Sequence, residues 1–385
     1  MTKDDDALLD RVLDHGLLFL EPTYVRRLYM DGGRLGLTTK PGGTYLPRAR
    51  LWRPERWIAS TVSSSHPFPL STEGQSRLAI PKSDSRRRIS SSGITFRQAL
   101  ERRGERILGR EYITAYGPDF PVLIKILDPG EPIVFHFHAN DADVLRYRDR
   151  FPGQRLGKDE AYYFLPAPKG AVPYTHVGLY SGVTQQVLAE AIERGRALDV
   201  SPVFHQRTGE GFHVPAGIPH RPGTALTLEI QQPSDVYTLL EHRWGERALS
   251  AGQMHPGFAS LHDALALIDY AASTDPRLLE RNRLIPEPIA ETRARGGAEE
   301  WIFPARLRKF SGKRLVVRTR YESQESGPYV LLVWRGRGRL LGRRLRPGSE
   351  ALVTAAVAIR PHLYEVEEEP LEVFKLFPPA PAGPH

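Results

Sequence analysis

The sequence predicts a mainly β protein: two antiparallel barrel- or sandwich-like units with a small helical segment between them. Three observations carry this. Short apolar runs bounded by glycine and proline recur through 120–231 and again through 301–377, the rhythm of antiparallel strands. Helical periodicity is confined to a few stretches before and between them. The chain of 385 residues is also long enough for two cores. Together these divide it into a first unit at 1–250, a helical segment and linker at 251–298, and a second β unit at 299–385.

Taken in order, 7–20 carries Leu8, Leu9, Val12, Leu13, Leu17 and Leu18 at helical spacing and predicts a short amphipathic helix. The Ser/Pro/Arg-rich stretch 60–93 predicts a loop over a site. Thr95 with Gln98 forms a capping box, starting a helix that buries Phe96, Leu100 and Ile107. Strands are expected at 120–127, 132–138, 161–165, 211–214 and 224–231, interrupted by a helix at 184–194 that Gly195 ends. The clearest helix is 260–273, with Leu261, Leu265, Ile268 and Ala272 on one side, followed by a charged linker at 281–297. Beyond it, 315–320, 329–334, 351–355 and 371–377 read as strands, and the proline-rich tail from Pro378 as frayed.

Composition excludes several classes. There is no cysteine, so disulfides are impossible and any metal must be held by nitrogen and oxygen. The acidic start Met-Thr-Lys-Asp-Asp-Asp is unlike a signal peptide, and no apolar run approaches a membrane span, so a cytoplasmic location is expected. The net charge of +8 is concentrated in arginines of 306–346, which alternate with Leu, Val and Gly as on the solvated side of a sheet. That alternation disfavours a nucleic-acid surface.

The chemistry-bearing residues are three histidines and one glutamate. His136 and His138 share one strand face, because side chains alternate with a period of two. Glu160 follows in Gly157-Lys-Asp-Glu160, and His220 closes Gly209-Glu-Gly-Phe-His-Val-Pro-Ala-Gly-Ile-Pro-His220 after a Pro-Ala-Gly turn. Imidazole and carboxylate suit a borderline divalent ion with room left for water or substrate. The second unit carries no such set, since His362 stands alone.

The frames of these residues resemble the two cupin motifs: Gly130, five residues, then His-x-His; and Gly209, five residues, Pro215-x-Gly217, then His220. The usual cupin carboxylate would fall at Asp143. A closer resemblance is to the class I mannose-6-phosphate isomerase family. It rests on Phe120-Pro-Val-Leu-Ile-Lys125, Phe135-His-Phe-His-Ala-Asn-Asp141, Gly157-Lys-Asp-Glu-Ala-Tyr162, Val214-Pro-Ala-Gly-Ile-Pro-His220 and Leu228-Glu-Ile-Gln-Gln-Pro-Ser-Asp235. Pro54-Glu-Arg-Trp57, Leu108-Gly109 and the ending Lys375-Leu-Phe-Pro-Pro379 also look like family elements. The resemblance covers 50–250 in matched motifs. It implies two cupin-like jelly-roll barrels, the second metal-free. It also implies zinc at His136, His138, Glu160 and His220, an active-site lysine at Lys158, and acidic groups at Asp235 and Glu229.

Two departures matter. His136 stands where the family has glutamine, which opens the site to Fe, Mn, Ni or Co beside zinc. Leu239 stands where it has a catalytic arginine, four residues after Asp235, leaving Arg221, Arg243 or Arg86, Arg87 and Arg88 as substitutes and an unphosphorylated sugar as an open alternative.

The resulting expectation is an aldose–ketose isomerase working through a cis-enediol, with Lys158 moving the proton or else merely pairing with Glu160 or Asp159. Asp235 would orient substrate or lysine, or cap a turn; Glu229, Gln231 and Arg221 would line the substrate pocket. Tyr162 and Phe164 would form an aromatic wall or core, and His213, of opposite parity to Val214, is structural. Rival readings are a cupin metal oxygenase and a non-catalytic sugar-binding cupin.

Overall fold

The computed structural model describes residues 3–27, 54–64, 72–80, 90–166, 174–244 and 247–381. They form a mainly β, cupin-like fold. Among them no helix is long and apolar enough to cross a membrane.

The first barrel is made of two facing sheets. The larger has seven strands, in the order Arg283–Leu284, Gly211–Val214, Glu160–Phe164, Thr227–Gln231, Leu123–Leu127, Glu55–Ile58 and Thr23–Val25. The smaller has five, in the order Val203–His205, Tyr174–Val177, His220–Arg221, His136–Phe137 and Thr238–Leu239.

Alternation along the larger sheet separates chemistry from packing. Ile124, Ile126, Ala161, Tyr163, Leu228 and Ile230 project backwards into a core shared with Val330, Leu332, Phe374 and Leu376 of the C-terminal sheet. The intervening Lys125, Glu160, Tyr162 and Glu229 project forwards into a cavity. Both faces are therefore buried, which is why these strands read as unbroken apolar runs with isolated charges.

The C-terminal sheet has eleven strands and centres on two long ones, Tyr329–Leu340 and His362–Phe377. Its arginines face carboxylates. Arg314 binds Glu372 (2.8 Å) and Glu300 (2.9 Å), while Arg339 and Arg337 meet Glu367 (2.6 Å) and Glu368 (3.1 Å).

Several elements differ from the sequence expectations. The expected helix at 7–20 is a helix at Lys3–Leu13 and a strand at Leu17–Leu20, which pairs with Glu350–Val353 of the C-terminal sheet. Gly16 makes the break at φ 66°; a Cβ there would lie 2.1 Å from Val357. Leu17 and Leu18 fit helical spacing by coincidence, since a short apolar run is compatible with either element. Within the 60–93 stretch Arg77–Ile80 is a strand and pairs with Ser90–Thr95 at its far end; Arg86, Arg87 and Arg88 lie outside the described residues. Strand 132–138 contracts to His136–Phe137.

The 260–273 helix is two short ones, Leu261–Leu265 and Tyr270–Ser273. Asp269 divides them: its N–H donates to Gly217 O (3.1 Å) and its carboxylate caps Ala272 N (2.9 Å). The 281–297 linker instead holds strands, Arg283–Leu284 against Gly211–Val214 and Glu287–Ile289 against Gly297–Phe303. The Thr95–Gln98 capping box and the helix Gln185–Glu193, with Gly195 at φ 67° beyond it, form as read.

Phe374, fully buried where the two sheets meet and 5.9 Å from the Tyr163 ring, tests this shared core. Phe374→Ala is expected to cost about 3–5 kcal/mol, seen as a lowered denaturant midpoint for the whole chain. A midpoint like that of the unaltered protein would mean the sheets do not depend on one another.

Candidate metal centre

His136 and His220 face each other across one antiparallel rung, a pairing that puts side chains within contact range. His138 follows two residues on, just past the end of the strand. The ring centroids lie 4.2 Å (His136–His220), 4.8 Å (His136–His138) and 5.2 Å (His138–His220) apart. One nitrogen from each ring lies within 4.8 Å of the others, the single such His/Asp/Glu group among the described residues.

Backbone carbonyls orient all three rings. The Nδ1–H groups of His136, His138 and His220 donate to Val134 O (2.6 Å), Val236 O (2.8 Å) and Ile218 O (2.9 Å). That fixes the tautomer and leaves each Nε2 as a lone-pair donor facing the common centre. Burial, then the neighbouring histidines, holds His136 well below the usual imidazole range; burial, then Lys158, pushes His138 down to about 3. Neutral imidazole is the ligating form.

Glu160 enters from the opposite sheet. Its Oε1 lies 2.8 Å from His220 Nε2 and its Oε2 3.4 Å from His138 Nε2. Yet His220 Nε2 and Glu160 Oε2 have no hydrogen-bond partner in the required direction. Three buried imidazoles with ligand nitrogens within 4.8 Å of one another suit a zinc-type ion, and Glu160 lies against two of them.

Lys158 stands beside them, its Nζ 2.9 Å from both Glu160 Oε2 and His138 Nε2. Gly157 permits this: a Cβ there would lie 2.5 Å from Ala139 O, so only glycine lets the loop close on the histidine strand. Alternation then turns Asp159 outwards to Lys309 of the C-terminal unit (3.4 Å) and Glu160 back inwards. Burial would raise the Glu160 carboxyl, but Lys158, then His220, outweigh it and hold it well below the carboxylate range.

His136, His138, Lys158 and Glu160 line a cavity of about 590 Å³ including its mouth, together with Arg27, Glu55, Lys125, Tyr162, Glu229, Asp235, Tyr237, Leu239 and Trp244; His220 lies buried behind it. Burial pushes the Glu229 carboxyl up to about 8, against the pull of Lys125. The Tyr162 hydroxyl donates to Glu160, and its ring lines the cavity, whereas Phe164 packs in the core near Phe204.

Not every expected residue reaches the cavity. Gln231 turns its amide into the Gln232–Ser234 turn, donating to Gln232 O (3.0 Å) and Ser234 O (2.6 Å). Arg221 turns to Glu241 (3.3 Å). Neither lines the cavity, and Arg243 and Asp143 stand outside it too. His213 lies by Asp159 (3.6 Å) and does not line the cavity.

Conversely, the sequence reading gave no role to Lys125, Glu55 or Arg27. Lys125 was visible as a lone cation inside Leu123-Ile-Lys-Ile-Leu127, and Glu55 within Pro54-Glu-Arg-Trp57. Nothing local marked Arg27.

No protein-family model matches the chain. Over 129 residues, 33% of this chain, it is 33% identical to the mannose-6-phosphate isomerase ManA of Bacillus subtilis (strain 168). That match spans only 38% of the relative's length. Nearly the whole chain is similar in fold to the mannose 6-phosphate isomerase structure from Bacillus subtilis (TM-score 0.62, 19% identity, 94% of this chain and 99% of that one). It is similar likewise to a zinc-bound mannose 6-phosphate isomerase (TM-score 0.65, 14% identity, 95% and 100%). A variant of phosphomannose isomerase from Salmonella typhimurium gives TM-score 0.62 at 13% identity over 95% and 100%. At these identities the structures establish the fold, and the sequence match relates the chain to the class I isomerases its motifs resemble.

Metal analysis is expected to give one divalent ion per chain, lost in His220→Ala and in Glu160→Ala with the far-UV circular dichroism unchanged. Stoichiometric metal in either variant would refute the ligand set.

Proposed function

We propose that this chain is a metal-dependent aldose–ketose isomerase of the mannose-6-phosphate isomerase type, acting in the cytoplasm on a mannose-like aldose or its 6-phosphate. The observation that carries the reading is the convergence of three buried imidazoles with Glu160 and Lys158 at the wall of one cavity.

A divalent ion held by His136, His138, Glu160 and His220, zinc before other ions, would act as a Lewis acid towards the substrate carbonyl oxygen. The chain's own residues supply the rest. Lys158 would move the proton between C1 and C2 through a cis-enediol. Glu229, buried and facing Lys125 at 3.7 Å, is a second group able to hold a proton near neutral pH. The hydroxyl of Tyr162 keeps Glu160 oriented. Leu127, Ile133, Leu239 and Trp244 give the cavity its apolar walls, which exclude water from the reacting carbons.

Phosphate is the less supported half of the substrate. The three lysine and arginine side chains lining the cavity each face a carboxylate: Arg27 meets Glu55 and Asp235, Lys125 meets Glu55 and Glu229, and Lys158 meets Glu160. The 6-phosphate enters the proposal through the names of the relatives.

A screen of aldoses and their 6-phosphates in deuterated water tests the reaction: the C2 proton signal should disappear for the true substrate under nitrogen. Sugar binding without exchange would favour a non-catalytic cupin; bound iron with oxygen consumption would favour an oxygenase. Lys158→Ala should lower kcat by about 10²–10⁴-fold with metal retained. His136→Gln, which installs the family's ligand, should keep the metal that His136→Ala loses, as read by metal content after dialysis.

A further inference from the structure

Arg27 is buried at the cavity wall, and all five of its N–H groups are engaged. Nε donates to Glu55 Oε1 (2.7 Å). Nη2 donates to Glu55 Oε2 (3.0 Å) and Asp235 Oδ1 (2.7 Å). Nη1 donates to Asp235 Oδ2 (3.1 Å) and Ser64 Oγ (3.4 Å). One guanidinium thus forks onto two carboxylates at once, while its Cζ lies 5.6 Å from the centre of the Trp57 ring. The same ring's Nε1–H donates to Glu55 Oε2 (2.7 Å). Glu55, Asp235 and Arg27 all line the cavity, as does Leu239.

Such a guanidinium has no donor left for a ligand. To bind a phosphate it would have to abandon a carboxylate in a buried site, at a cost the new contact would only restore. Two carboxylates held rigidly at a cavity wall are, by contrast, acceptors ready for sugar hydroxyls.

We propose, on the isomerase reading above, that Arg27 is a positioning residue: it fixes Asp235 and Glu55 as paired hydroxyl acceptors that set the sugar's orientation over Lys158, and does not itself receive a phosphate. The guanidinium comes from the start of the chain, 208 positions from Asp235, into a cavity where Leu239 offers none.

Arg27→Lys tests this, because lysine keeps the charge and loses the fork. On the sugar that the unaltered protein turns over, kcat is expected to fall on the order of 10²-fold as the carboxylates lose their alignment. KM should change by less than about threefold, with one metal ion per chain retained. A raised KM with unchanged kcat would make Arg27 a ligand-binding group, and unchanged kinetics would make it structural only; either result overturns the proposal. If Arg27→Lys does not fold, Arg27→Ala purified with metal and supplied with guanidinium ion reads the same point. Recovery of kcat with guanidinium and not with potassium supports the clamp, and no recovery overturns it. The unaltered protein run alongside separates two failures. No C2 exchange there sinks the isomerase reading, whereas an active parent with an unimpaired variant sinks only the role of Arg27.

Discussion

The site depends on one short antiparallel rung. His136 and His220 are partnered across it, and their Nδ1–H groups are tied to carbonyls two residues back along the chain. This is a local arrangement, built from backbone already in place, so little rotamer entropy remains to be lost when a ligand set assembles. His138 is oriented differently, by Val236 O of a distant loop, and that loop also carries Asp235. Ligand geometry and the acidic wall of the cavity are therefore set by the same few residues.

The barrel can hold so many charges because the larger sheet is packed on both faces. Its backward residues join the C-terminal sheet, which leaves the forward ones free to be polar at no loss of core. The forward charges then compensate one another in alternation across neighbouring strands. Glu55, Lys125 and Glu229 lie side by side, with Arg27 and Asp235 beyond Glu55. Buried carboxylates are tolerable only with such partners. The C-terminal unit also buries compensated charges. Lys375 is wholly buried and bonds Glu299, Ser323 (2.6 Å) and Glu325 (2.9 Å), and His362 is taken up by Tyr329 (2.7 Å) and Arg360 O (2.8 Å). An ammonium fills that interior, and the unit also reaches back through Lys309 to Asp141 (3.0 Å) and Asp159, which flank the site.

The sequence by itself determined the β architecture, the capped helices and the three-histidine cluster. Each of those is a local pattern: a period of two, a capping box, a Pro-Ala-Gly turn, and residue types whose chemistry is fixed by their side chains. Tertiary structure decided the rest. Whether Leu17 and Leu18 belonged to a helix or a strand depended on Gly16 and on a partner more than three hundred positions away. The break in 260–273 came from a bond between Asp269 and the metal-site turn. Parity placed Gln231 on the cavity side, yet two carbonyls of its own turn drew its amide away. Above all, the cation that meets Asp235 came from Arg27, near the other end of the chain. Long-range charge pairing leaves no periodic trace in a sequence, because it is selected by the energy of the folded interior and not by the geometry of any one element.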